Sequence, residues 1–304
     1  MIKLSDLDKL FPTEEACKRF LFEHRWPGGK VQCPRCKSDK VYKLSWAWHW
    51  QCHQCAKKGY RFSLINGTVF ENTKYPLKTW FTVGLLMLHA KKGMSALQIK
   101  RTVFHATASY ETAWSMCRRI RRAMHNDEFQ ALLGIVEVDE TYVGGKDKNR
   151  HWHKRSHKTG GEASGKMAVI GAISRKGQVV VKAIANTRRS TLNGFIRQVV
   201  APNVVLLATD EHPAYGKLKA AYPHEIVRHG DHEYVRGIVH TNSIESFWAL
   251  LKRGVMGSFH QLSRKYLPLY LAEFTFRHNH RQDAHMFDLL IAGCGGPATG
   301  LVLS

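Results

Sequence analysis

The 304-residue chain carries 46 lysines and arginines against 24 acidic residues, a formal charge of +22. Such an excess argues against a merely neutral surface and points to a polyanionic partner; nucleic acid fits better than a membrane surface, because no basic amphipathic helix stands out. Hydrophobic residues make up 44%, enough for a sizeable core in each of two or three domains. No apolar run reaches about 18 residues, residues 1–25 lack a signal-peptide pattern, and the seven cysteines are odd in number. The expectation is an intracellular protein without membrane spans, whose cysteines serve a metal rather than a disulfide framework.

Residues 1–30 are predicted to form an N-terminal amphipathic helix. Thr13 is the N-cap candidate, Glu14 and Glu15 lie in the first turn, and Ala16, Phe20 and Leu21 form the apolar face. Residues 31–72 hold Cys33-Pro34-Arg35-Cys36 and, fifteen residues later, Cys52-His53-Gln54-Cys55. A two-residue gap turns both thiolates of a pair inward, and two such turns close a tetrahedron. Cys33, Cys36, Cys52 and Cys55 are therefore the expected ligands of a structural zinc ion. Stretches 41–44, 46–51 and 59–64 read as the three strands of a zinc ribbon.

Residues 73–128 read as a helical, helix-turn-helix-like DNA-binding domain. A helix from 75 to about 92 stops at Gly93, Ser95 caps a short helix to about 104, and 105–109 make a turn. A longer helix follows from Tyr110, with Arg118, Arg119, Arg121 and Arg122 expected on its outer faces, as a recognition helix needs. A plain helical bundle with a solvated basic face is the alternative.

From Gly134 the period changes to that of a strand. Glu137, Asp139 and Thr141 point one way, and Val136, Val138, Glu140 and Tyr142 the other. A basic loop over 146–161 supplies Lys154, Arg155 and Lys158 as candidate DNA contacts. Strands at 167–173 and 178–184 complete a meander. A helix follows at 191–200 with Ser190 or Thr191 as cap, then an apolar strand over 204–210 that ends in Asp210. A turn and short helix at 212–218, a strand at 224–229, a helix capped by Asn242 or Ser243, and a helix over 265–281 follow; 286–304 reads as a C-terminal tail. The order β-β-β-α-β-α-β-α predicts an α/β, ribonuclease-H-like catalytic domain over 132–285.

In that arrangement Asp139, Asp210 and Glu245 meet. Two-metal phosphoryl transfer needs hard oxygen ligands and open positions, and magnesium is held by one or two carboxylates per ion. Asp139 is expected to bridge two ions, with Asp210 and Glu245 each holding one. Lys252, two turns beyond Glu245, is a phosphate-contact candidate. Glu137, Glu140 and Glu211 are competing carboxylates, and His212 and His240 are candidates to touch the phosphate or the attacking water.

Val138-Asp139-Glu140-Thr141-Tyr142-Val143-Gly144-Gly145-Lys146, Thr209-Asp210, and His240-Thr241-Asn242-Ser243-Ile244-Glu245-Ser246-Phe247-Trp248 followed by Leu251-Lys252-Arg253 resemble the ISXO2-like (IS1595) DDE transposases. The resemblance covers roughly residues 13–281 and includes the zinc ribbon ahead of the catalytic domain. It implies cleavage and transfer of DNA strands at terminal inverted repeats, two Mg2+ or Mn2+ ions, and double-stranded DNA as both element end and target. A homodimer or larger assembly on DNA and a cytoplasmic, nucleoid-associated place in a bacterial-type element go with it. In part of that group the third acidic position is an asparagine, which makes Asn242 the alternative to Glu245; a carboxylate binds magnesium better than an amide does. Two other readings stand beside it: a DNA-binding derivative without catalysis, and a nuclease on the same fold.

Overall fold

The computed structural model describes residues 2–55, 59–104, 108–125, 130–144, 151–154, 166–231 and 235–296. The chain divides into two units, residues 1–126 with 280–302, and residues 127–279.

In the first unit, the single helix expected over 1–30 is broken. A 3-10 turn (Leu4–Asp6) and the one-turn helix α1 (Leu7–Leu10) precede α2 (Glu14–Arg25). The break falls at Phe11-Pro12, where proline disfavours a helical conformation for the residue before it. Thr13 caps α2 as expected, its Oγ1 accepting the Ala16 N–H at 3.2 Å. Helix α3 (Leu77–His89) follows Pro76, whose side chain cannot cap. The Glu14 carboxylate does so instead, accepting the Leu77 and Lys78 N–H groups at 2.8 and 3.3 Å.

Helix α3 ends about a turn before the sequence suggests, and Gly93, at φ +81°, closes the connection that follows. Helix α4 (Ala96–Ile99) is opened by a Ser95–Gln98 capping box and continues as a π-type turn over Lys100–Phe104. Residues 105–107, in the expected turn, lie outside the described residues. Helix α5 (Tyr110–Ala123) is capped by Ser109.

The zinc ribbon is an antiparallel sheet in the order β1 (Val41–Lys43), β2 (His49–Cys52), β3 (Tyr60–Ser63). Its few buried side chains are the sulfurs of Cys33 and Cys52, Leu64, and the aromatic rings of Trp50 and Phe62. Trp50 packs on Phe62 at 6.0 Å between ring centroids and on Trp26 at 5.2 Å.

The second unit is a mixed α/β structure. Its five strands are β4 (Ile135–Val143), β5 (Met167–Ser174), β6 (Val179–Ile184), β7 (Leu206–Thr209) and β8 (His224–Ile226), in the spatial order β6-β5-β4-β7-β8. Strand β5 runs antiparallel to β4 and β6, whereas β7 runs parallel to both β4 and β8. Val136, Val138, Ile170 and Ala172 pack on one face with Leu192, Phe195 and Ile196 of α6 (Arg189–Val199). Val143, Val169 and Ile173 pack on the other with Ile244, Phe247, Trp248 and Leu251 of α7 (Asn242–Gly254) and Leu267, Leu271 and Phe274 of α8 (Leu267–Asn279). The period of two in β4 and β5 is what allows helices on both sides of the sheet.

Helix α6 starts before the expected Ser190 or Thr191 cap. Arg188 is the N-cap residue and makes no side-chain capping bond; Asn186, ahead of the helix, accepts the Arg188 N–H at 3.1 Å and the Thr191 hydroxyl at 2.9 Å. No helix among the described residues is long and apolar enough to cross a membrane.

The stretch read as a C-terminal tail contains α9 (Met286–Gly295), which belongs to the first unit. Phe287 joins Phe11, Phe20 and Phe81 in an aromatic cluster with ring centroids 5.0 to 6.1 Å apart. Its glycines suggest a breaker in sequence, but Gly293 lies where a Cβ would collide with the Ala123 carbonyl oxygen of α5. The glycine permits a close helix–helix approach.

Candidate active site and zinc centre

Among the described residues, Cys33, Cys36, Cys52 and Cys55 are the only group of three or more His, Cys, Asp or Glu whose ligand atoms all lie within 4.8 Å of one another. Cys33 Sγ is 3.8 Å from Cys55 Sγ, and Cys36 Sγ is 3.6 Å from Cys52 Sγ. A Zn–S bond of about 2.3 Å gives a tetrahedral edge of roughly 3.8 Å, so the four sulfurs already have the spacing of a closed zinc site. Lys37, at φ +62°, turns the first knuckle, and its N–H returns to the Cys33 carbonyl at 2.9 Å. His49 and His53 are outside the four-sulfur cluster. The cysteine set fits structural zinc.

The acidic site is built where β4 and β7 run side by side. Their parallel register pairs Ile135 with Leu206 and Glu137 with Ala208. Continued two residues, it puts Asp210, the residue just past the carboxyl end of β7, level with Asp139 in the middle of β4. Burial, then the charges of Asp210 and Glu140, and least of all Glu245, push Asp139 up to about 7 against the pull of the Glu140 amide. Asp139, Asp210 and Glu245 thus share one electrostatic neighbourhood, although they do not gather within the 4.8 Å that the cysteines meet. Glu245 is exposed in the first turn of α7 and accepts the Thr241 hydroxyl at 2.6 Å. Asn242, the first residue of α7, and Lys252, in its last turn, are exposed too.

Glu140 faces the opposite side of the sheet from Asp139, as the strand period requires. It accepts the Tyr215 hydroxyl, and His212 Nε2 lies 3.8 Å from it. Burial raises its pKa against the Tyr215 hydrogen bond, and Asp210 adds to the rise. Asp210 therefore acts on both neighbours in the Asp139-Glu140 pair. Glu211 turns away to accept the Gly230 N–H at 3.0 Å.

Glu137 has a different role. Its carboxylate is fully buried and accepts Arg175 Nε at 2.7 Å, Ser243 N at 2.7 Å, Ile244 N at 3.1 Å and Ser243 Oγ at 3.0 Å, with His240 Nδ1 3.2 Å away. Neither Asn242 nor Ser243 caps α7. Thr241 is the N-cap residue and makes no side-chain capping bond; a carboxylate from β4 binds the orphan amides, favoured further by the positive end of the helix. Glu137→Ala is expected to destabilise the second unit by about 3–5 kcal/mol, because it leaves Arg175 without its buried partner and two amides unbonded. Urea denaturation would measure this; a loss under about 1 kcal/mol would contradict the anchoring role.

The arginines of α5 are less available than the sequence suggests. Arg121 is only 2% exposed, and its guanidinium donates to the Met94 carbonyl at 3.3 Å. Arg119 donates to the Glu71 carbonyl at 2.6 Å and lies over Trp80, and Arg118 stacks on Trp114. Only Arg122 of the four is exposed. At 3.6 residues per turn, positions i, i+1, i+3 and i+4 cover an arc of roughly 160°; Arg121 stands at one edge of that arc, where it meets the packed side. Lys154 falls in the 3-10 turn Trp152–Lys154. Arg155 and Lys158 lie outside the described residues, as does most of the basic loop.

Sequence reasoning missed Glu137 as the anchor of α7, Tyr215 as the partner of Glu140, and Trp248, whose indole N–H donates to Asp139 Oδ2 at 3.0 Å. The available signal was that Glu137 shares a strand face with Asp139.

Residues 131–279 match the ISXO2-like transposase domain, and residues 12–58 match the transposase zinc-ribbon domain. A protein of Halobacterium salinarum described as an uncharacterized protein in transposable element ISH50 is 29% identical over 281 residues, covering 88% of this chain and 92% of its own length. The two domain matches span both the cysteine cluster and the acidic strand positions, and the relative is alike across nearly all of both chains: this chain belongs to the ISXO2-like (IS1595) transposase family of insertion sequences.

Proposed function

We propose that the protein is an active transposase that binds the terminal inverted repeats of its element and catalyses divalent-metal-dependent cleavage and strand transfer at Asp139, Asp210 and Glu245. The position of Asp210 directly after β7, the strand that runs parallel beside the one carrying Asp139, in a transposase family, is the observation that carries the reading. The order β6-β5-β4-β7-β8 supports a ribonuclease-H-like fold for this unit.

The donor set fits a divalent cation. Burial first, and then the charges of Asp210 and Glu140 and, least, Glu245, push Asp139 up to about 7, and a cation among these carboxylates relieves the cost of the charged form. Asp139, Asp210 and Glu245 would hold magnesium or manganese, which supplies charge stabilisation for the attacking and leaving oxygens. Glu245 is preferred to Asn242 because it adds charge to the same field. Lys252, exposed on the same helix, is suited to a DNA phosphate. Excess positive charge, the ribbon and the α4–α5 pair are suited to duplex DNA, and two ends joined in one reaction call for a dimer or larger assembly on DNA.

The test is incubation of the protein with Mg2+ or Mn2+ and duplex DNA ending in the inverted repeats that flank its coding sequence. Joined products that require both the metal and the repeat sequence are expected. Nicks without joining would replace the reading with a nuclease; binding without either would leave a DNA-binding derivative.

A further inference from the structure

We propose that Trp248 is a positioning residue for Asp139, and that Gly171 exists as glycine to admit its ring; the proposal rests on the assignment of Asp139 as a metal ligand. Asp139 carries a hydrogen bond on each carboxylate oxygen. Oδ1 accepts its neighbour's backbone N–H, from Glu140, at 2.8 Å, and Oδ2 accepts the indole N–H of Trp248 at 3.0 Å. Two donors on two oxygens fix the plane of the carboxylate, leaving the remaining lone pairs of both oxygens for a ligand.

The indole can reach Asp139 because the strand opposite has no side chain there. Asp139 and Gly171 are cross-strand partners in the β4–β5 ladder. A Cβ on Gly171 would stand 2.7 Å from Cη2 and Cζ2 of Trp248 and 3.0 Å from Cδ1 of Ile244, so an alanine must displace the ring or the helix. Trp248 is 3% exposed, in the apolar face of α7. Its nitrogen is the one polar atom of that ring, and it is aimed at Asp139 in the middle of β4. Glu137 holds the first turn of α7 to β4, and Trp248, one turn beyond Glu245, ties the helix to β4 a second time.

The role is tested by replacing Trp248 alone with its benzothienyl analogue, which keeps the fused ring and removes only the N–H. Gly171→Ala is the second variant, which keeps the N–H and displaces the ring. Mn2+ binding is measured by calorimetry on wild type, both variants and Asp139→Asn, with thermal melting and strand joining alongside. The expected result is a 10–100-fold loss of manganese affinity in the analogue, the range typical for a lost outer hydrogen bond, with unchanged melting and a matching rise in the manganese concentration needed for joining. Gly171→Ala is expected to lose affinity in the same direction. Affinity equal to wild type in the benzothienyl protein overturns the positioning role, whatever the joining assay gives. Manganese binding unaffected by Asp139→Asn overturns both the role and the metal-site assignment. Binding that depends on Asp139 and Trp248 without any joining overturns only the transposase reading.

Discussion

Asp139→Asn is expected to reduce strand joining at least ~10³-fold while making the metal-free protein more stable above pH 7. Loss of activity follows from the position. Asp139 is the member of the acidic set on the central strand, and an amide is a far poorer donor to a hard divalent ion. Several kcal/mol of transition-state stabilisation depend on such ions, and each 1.36 kcal/mol is about tenfold in rate.

The stability gain follows from the same crowding. Burial and the charges of Asp210 and Glu140 raise Asp139 to about 7, so the folded protein keeps a proton that the unfolded chain has released. Between about pH 4 and 7 folding therefore weakens as pH rises, and above pH 7 the full cost of the buried charge remains. Asparagine removes that cost, worth roughly 1–3 kcal/mol once partial exposure is discounted. Thermal melts in chelator at pH 5 and pH 8 would show it: the variant should exceed wild type by several degrees at pH 8 and by much less at pH 5. Equal joining by variant and wild type would remove Asp139 from the site, and a pH-independent difference in melting would contradict the electrostatic explanation.

Removal of zinc is expected to unfold the ribbon. Three strands of three or four residues, with a core of a few aromatic rings, bury too little to hold themselves. In small zinc domains metal binding contributes about 10–16 kcal/mol at neutral pH and is inseparable from folding. Cys52→Ser strikes two supports at once, because Cys52 is a buried sulfur of the cluster and the last residue of β2. One zinc per chain should be lost, amide protection over 41–63 should disappear, and helices α6 to α8 should be untouched. A metal-free ribbon with intact amide protection would show that the aromatic core suffices.

The zinc ligands, the meander and the acidic strand positions are legible in the sequence because each rests on local spacing. Two C-x-x-C turns announce themselves, as does an alternating strand with Asp139 at its middle. What stays hidden depends on partners distant in sequence. Glu137 looks like a competitor of Asp139 until Ser243 and Ile244 arrive beneath it, more than a hundred residues later. Arg121 looks like a surface base until its guanidinium meets Met94. Trp248 reads as one more apolar position on α7, which it is; only the bare Gly171 beside it reveals room for the ring to turn its nitrogen to Asp139. Helix boundaries shift for a related reason, since the capping groups at α3 and α7 come from Glu14 and Glu137 rather than from adjacent cap residues.

Helix α9 has a consequence for the order in which the protein matures. Phe287 completes an aromatic cluster begun by Phe11, Phe20 and Phe81, so the unit that starts the chain cannot close until nearly all of it has left the ribosome. At 5–20 residues per second, about ten seconds or more separate Phe81 from Phe287. Residues 127–279 can pack during that interval, whereas the ribbon-bearing unit must wait with exposed aromatic surface. A nascent chain cut short before α9 therefore lacks the helix whose Phe287 completes the aromatic cluster of the first unit.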